Sequence, residues 1–125
     1  MSNPLILHLA TDLFFNPSIT AAVEALSYSI KAMDRYLDTA EFLKIVRQEN
    51  PALIILDLNS SLPWIEWLPA AKANKETKAL PWLAYGSHMN PRRLAAARRA
   101  GADKVVPKSQ FSAELDQLIQ AMAAK

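Results

Sequence analysis

Cysteine is absent from the 125 residues, which removes disulfides, thiolate metal sites, iron–sulfur clusters and a cysteine nucleophile, and leaves nothing to suggest an oxidising compartment. Glycine is almost absent: Gly86 and Gly101 are the only two. Loops that wrap phosphate with backbone N–H groups, GxxxxGK[ST] or GxGxxG, need several residues without a Cβ, so both motifs are out of reach. Two histidines, His8 and His88, are too few for a histidine-rich metal centre. No uninterrupted apolar run approaches the roughly 20 residues of a membrane-spanning helix. Residues 1–4 lack the basic start of a secretory signal, so the expectation is a soluble, cytoplasmic chain with no membrane partner. Charge of one sign is also scarce. Fourteen Lys and Arg stand against 12 Asp and Glu, and a net charge of +2 does not make a polybasic surface for wholesale binding of nucleic acid.

What is present is the composition of one globular domain over residues 1–125, 51% hydrophobic and 21% charged. Short apolar runs alternate with stretches of helical period. Residues 5–10 (LILHLA) are closed by Thr11-Asp12, and Asn16-Pro17 then offers a cap with proline at the first helical position. Ile19, Ala22, Val23 and Leu26 recur at helical spacing, whereas residues 28–33 alternate like a half-exposed strand. Asp38 or Thr39 can cap a helix carrying Phe42, Leu43, Ile45 and Val46. Residues 52–56 (ALIIL), apolar throughout and ending at Asp57, read as the central strand of a parallel sheet covered on both faces. Residues 63–74 read as a helix that Pro69 kinks or shortens. A fourth strand at 80–85, a helix from Asn90-Pro91 to Gly101 and a short strand at 104–106 follow. A last helix, starting at Ser109 or Ser112, puts Phe111, Leu115, Leu118, Ile119 and Met122 on one face.

Five strands alternating with five helices predict an α/β fold: a three-layer, doubly wound (βα)5 sandwich around a five-stranded parallel sheet, because parallel strands need right-handed crossovers. In such sheets ligands gather at the carboxyl ends of the strands. Thr11, Asp12, Asp57, Gly86, Ser87, His88, Pro107, Lys108 and Ser109 converge there on this reading.

Four stretches then acquire a shared meaning. Residues 53–59 (LIILDLN), Asp12 at the end of the first strand, residues 100–108 (AGADKVVPK) and residues 109–115 (SQFSAEL) together resemble the response-regulator receiver domain, CheY-like and flavodoxin-like in fold, along essentially the whole chain. The resemblance implies Asp57 as phosphoryl acceptor and Asp12, Asp57 and the backbone carbonyl of Asn59 as ligands of a weakly held Mg²⁺. It also implies Lys108 as a phosphate-binding group, and a switch hydroxyl at the end of the fourth strand. Such a set has a clear chemical logic. A carboxylate nucleophile faces a divalent cation that neutralises the incoming phosphate, and lysine and hydroxyl groups bind the remaining oxygens.

The chain departs from that pattern at several positions. Thr11-Asp12 stands where receivers carry two adjacent acids, which leaves the metal one carboxylate short. A gapless count back from Lys108 puts Gly86 at the switch position; a count forward from Asp57 puts Ser87 there. Ser109 follows the lysine where receivers carry proline, and the loop over residues 59–64 lacks their Met-Pro-Gly pattern. These departures imply a stand-alone pseudo-receiver, a signalling module that works through protein contacts and does not turn over substrate. Its partners would be a histidine kinase or another signalling protein, and it pairs with itself if it follows the family habit. Two other readings stand beside it: a phospho-accepting regulator using Asp57 with Mg²⁺, and a small α/β enzyme or flavin binder. Against the last, there is no nucleophile elbow, and Phe14-Phe15-Asn16-Pro17 replaces a hydroxyl-rich first loop.

Arg92, Arg93, Arg98 and Arg99 are the interface candidates, suited to an acidic protein surface, since no aromatic platform accompanies them for stacking nucleobases. Trp64 and Trp67 would be interface anchors if exposed, and core packing accounts for at least one. His88 reads as a solvated loop residue and His8 as a satisfied core or strand-edge histidine.

Overall fold

The computed structural model describes residues 3–11 and 16–123. Five strands and five helices alternate: β1 (Leu5–Leu9), α1 (Asn16–Ala25), β2 (Ser29–Met33), α2 (Thr39–Glu49), β3 (Leu53–Asp57), α3 (Trp64–Ala73), β4 (Trp82–Gly86), α4 (Pro91–Ala100), β5 (Lys104–Pro107) and α5 (Lys108–Met122). The strands make one sheet in the order β2-β1-β3-β4-β5, every neighbouring pair parallel. Strand β3 lies at the centre and is buried along its whole length, which explains why its sequence shows no alternation. The half-exposed pattern of β2 belongs to an edge.

Side chains leave the sheet on alternate sides and build two cores. Leu7, Leu9, Ile54, Leu56, Trp82 and Ala84 pack with Phe42, Val46, Trp67, Leu68, Leu94 and Ala97 from α2, α3 and α4. Ile6, Leu53, Ile55, Leu83, Tyr85 and Val106 pack on the other side with α1 and α5, through Ile19, Val23, Phe111, Leu115 and Ile119. The result is the expected three-layer α/β sandwich.

Local chemistry fixes the helix ends. Asp38 is the cap of α2, its carboxylate accepting from the Glu41 N–H at 2.8 Å, and Thr39 is the first helical residue. Asn90 caps α4 through the Arg93 N–H at 3.1 Å, with Pro91 at the first helical position. Gly101 ends that helix in the left-handed region at φ 117°, a conformation that L side chains rarely adopt. The capping role expected of Asn16 concerns a side chain outside the described set.

Three boundaries differ from expectation. Helix α3 runs through Pro69, which is exposed, as is Ile65 one turn before it, so the carbonyl left without a donor lies on the solvent side of the helix. Strand β4 begins at Trp82, two residues late, because the Leu80 N–H closes a turn onto the Thr77 carbonyl. Helix α5 starts at Lys108, directly on the strand end. Its backbone leaves helical geometry at Glu114 (φ −121°, ψ 19°), so the segment is two helical pieces joined at a kink. Phe111 anchors the first piece by stacking on Tyr85 at 4.0 Å between ring centroids, a contact that no capping signal announces.

Candidate functional site at the carboxyl rim of the sheet

The rim around Asp57 is built by the ends of β3, β4 and β5. Strand β3 drives Asp57 there because the four residues before it are wholly apolar and buried, which leaves the carboxylate at the mouth of the sheet, 7% exposed. One of its oxygens, Oδ1, accepts the backbone N–H of Asn59 at 2.8 Å, and its main-chain carbonyl accepts the Ser60 N–H at 3.1 Å. The loop after β3 is therefore folded onto its own aspartate. The Asn59 side chain in turn accepts from Arg93 Nη1 at 3.1 Å, tying the start of α4 to this loop. Two residues 34 positions apart make that contact, and no spacing in the sequence signals it.

Strand β4 contributes Gly86 as its last residue, in register with Pro107, the residue before Lys108. Asp57 is paired with Tyr85, so alternation turns the next position, Gly86, toward the opposite face of the sheet. A Cβ built there would lie 3.1 Å from Leu58 Cβ, 3.3 Å from Leu58 Cδ1 and 3.4 Å from Leu94 Cδ2. A side chain there would be crowded by Leu58 and would touch Leu94. Ser87, the next residue, is the first of the loop, and its Oγ accepts the Met89 N–H at 3.1 Å while its carbonyl accepts the Asn90 N–H at 3.0 Å. Its hydroxyl is engaged in turning the chain into α4. Lys108 is exposed at the start of α5.

Asp12, the second carboxylate expected at this rim, lies outside the described residues; Thr11 before it is exposed. Among the described residues, no group of three or more His, Cys, Asp or Glu side chains is gathered that could hold a metal ion.

Beneath the rim, on the α1 and α5 side, His8 is buried at 1% exposure with Nε2 2.9 Å from the Tyr85 hydroxyl. It is the satisfied core histidine expected from its apolar run. The partnership spans 77 positions, so sequence pattern gave the burial without the partner. His88 is exposed, as a loop histidine should be.

The four arginines of α4 are all exposed, and they diverge. Leu94 and Ala97 define the buried face. Arg93 lies to one side of it and reaches Asn59; Arg98 lies to the other, with Nη2 3.5 Å from the Val105 carbonyl. Arg92 and Arg99, seven positions apart, share the outward face. Both tryptophans are core residues: Trp64 is 8% exposed and Trp67 fully buried. Trp67 stacks on Phe42 at 4.3 Å and donates to the Leu37 carbonyl at 3.1 Å. Ile65 between them is the exposed apolar residue of that turn.

No family model matches the sequence, and no curated protein matches it. Solved structures do. A putative response regulator from Chloroflexus aurantiacus superposes with a TM-score of 0.80 at 16% identity, covering 98% of this chain and 98% of that one. A chemotaxis response regulator of Vibrio cholerae gives a TM-score of 0.75 at 16% identity over 97% of this chain and 99% of that one. The receiver domain of a signal transduction histidine kinase from Syntrophus aciditrophicus gives 0.79 at 16% identity over 95% and 89%. With the strand order and the two-sided helical cover, these superpositions establish that the chain has the CheY-like fold of response-regulator receiver domains.

Proposed function

We propose that the chain is a pseudo-receiver: a receiver-fold signalling module that acts through contact with a protein partner, a histidine kinase or another signalling protein, and not by accepting a phosphoryl group at Asp57. The observation that carries this reading is Gly86. A phospho-receiver needs a hydroxyl at the end of its fourth strand to bind the incoming phosphoryl group; here that strand ends on a glycine packed near Leu58 and Leu94, and the Ser87 Oγ that follows accepts the Met89 N–H within its own loop. The contact surface we assign is α4 with its surroundings, where Arg92, Arg93, Arg98 and Arg99 are exposed in a ten-residue helix with no acid. An acidic protein surface suits it.

One observation favours the rival reading, in which Asp57 is a working phosphoryl acceptor: it is a nearly buried carboxylate at the carboxyl end of the central strand, with the Asn59 N–H on one oxygen. The two readings separate on one titration. Mg²⁺ and then beryllofluoride, a phosphoryl mimic, are added to the protein and to Asp57→Asn while tryptophan emission is followed. A pseudo-receiver shows no saturable change that distinguishes the two proteins; a saturable response lost in Asp57→Asn would overturn the proposal.

A further inference from the structure

Among the described residues, the exposed large apolar side chains are Tyr36 (68% exposed), Ile65 (61%) and Met89 (79%). Isolated exposed apolar residues are ordinary on any protein surface. These three are not isolated in the fold. Tyr36 stands two residues before Asp38, the cap of α2; Ile65 is the second residue of α3; Met89 immediately precedes Asn90, the cap of α4. Helices α2, α3 and α4 cover the same face of the sheet, α2 against α3 and α3 against α4. The three side chains therefore stand at three adjacent helix starts on the carboxyl side of the sheet, with that of α3 in the middle.

Charge is graded across these helix starts. At the Tyr36 end Asp34, Asp38 and Glu41 are exposed against Arg35 and, one turn further along α2, Lys44. At the Met89 end Arg92 and Arg93 are exposed, and α4 carries no acid. Glu66 flanks the centre. A surface that is acidic at one end, basic at the other and apolar between is complementary to its own copy turned by a two-fold axis through the middle. The acids of one copy then meet the arginines of the other, and Tyr36 meets Met89. Two-fold contacts of this kind close on themselves and build a dimer without propagating.

We infer that these helix starts are the docking surface for a second copy of the chain, giving a two-fold dimer centred on Ile65 that covers the Asp57 rim. The contact removes from water three apolar side chains that the monomer leaves hydrated. It requires no phosphoryl group on Asp57 and stands whichever reading of that residue holds. It is centred on the start of α3 and takes in only the first turn of α4, which separates it from a dimer centred further along α4, around Arg98 and Arg99.

The test is sedimentation equilibrium of the whole chain from micromolar to millimolar concentration, at low and high salt. The expected result is a monomer–dimer equilibrium weakened by salt. Ile65→Ser, which changes the interface twice per dimer, should weaken it by at least about a hundredfold. Arg92→Glu should weaken it as well, and the swapped double variant Arg92→Glu with Asp34→Arg should restore it, because only the two-fold arrangement brings those positions together. All these residues are exposed, and far-UV circular dichroism of each variant checks the fold. A monomer at every concentration overturns the inference. So does a dimer indifferent to Ile65→Ser, or one broken by Arg98→Glu and Arg99→Glu while Ile65→Ser leaves it intact, which would move the contact to the outer face of α4.

Discussion

Restoring a side chain at Gly86 should destabilise the protein, and by an amount the geometry sets. The glycine does not have a positive φ, so alanine or threonine can adopt its backbone conformation; the obstacle is space alone. A Cβ would press on Leu58 Cβ at 3.1 Å and on Leu58 Cδ1 at 3.3 Å, and Leu58, 1% exposed, would have to give way by a few tenths of an ångström. Overpacking of this kind costs about 1–3 kcal/mol. Replacing glycine also restricts the unfolded chain, which returns about 0.4–1 kcal/mol. Gly86→Ala should therefore lose on the order of 1 kcal/mol and Gly86→Thr, with two further heavy atoms, more than that. In urea unfolding, with a slope of roughly 2 kcal/mol per molar for a small domain, the alanine variant shifts the midpoint down by about half a molar. A midpoint at or above that of the parent protein, or a threonine variant more stable than the alanine one, would refute the claim that Leu58 crowds the position. It would also reopen it to a switch hydroxyl.

Two further substitutions probe the frame around the site. Asp103 Oδ2 accepts both the Lys72 ammonium at 2.7 Å and the Trp82 backbone N–H at 2.7 Å, so Asp103→Ala orphans the first N–H of β4. It should cost about 1.5–3 kcal/mol in chemical denaturation, more than an exposed ion pair alone would give, and a loss below about 0.5 kcal/mol would show that the backbone contact contributes little. Tyr85→Phe removes the hydroxyl beside buried His8 Nε2 and should lose about 1–3 kcal/mol. An unchanged melting temperature would mean that water or another group takes over.

Much of the fold was legible because two periodicities and a few caps are local properties. The unbroken apolar run before Asp57 required a strand covered on both sides, and β3 is fully buried at the sheet centre. Asp38, Asn90-Pro91 and Gly101 each act within four residues of themselves, and each terminates the helix it was expected to. The signals that misled were also local. Pro69 argues against a helix continuing past it, yet tertiary burial of Trp67, Leu68 and Ala71 carries α3 through. Ser109 and Ser112 offered themselves as caps for α5, but the helix starts at Lys108 and kinks at Glu114, with Phe111 of its first piece stacked on Tyr85.

The candidate site divides along the same line. Sequence alone determined that an aspartate ends the central strand, that a lysine follows the fifth, and that a glycine and a serine compete for the end of the fourth, since each is a property of one segment and its neighbours. Only the tertiary structure decided that Gly86 ends β4 with two leucines against it and that Ser87 belongs to the loop. It also decided that Arg93 holds Asn59 beside Asp57, and that three exposed apolar residues from distant segments stand at the starts of adjacent helices. The reason is physical: strand register and helix packing bring together atoms separated by tens of residues, and the short-range periodicity that reveals an element does not encode which other element it will meet.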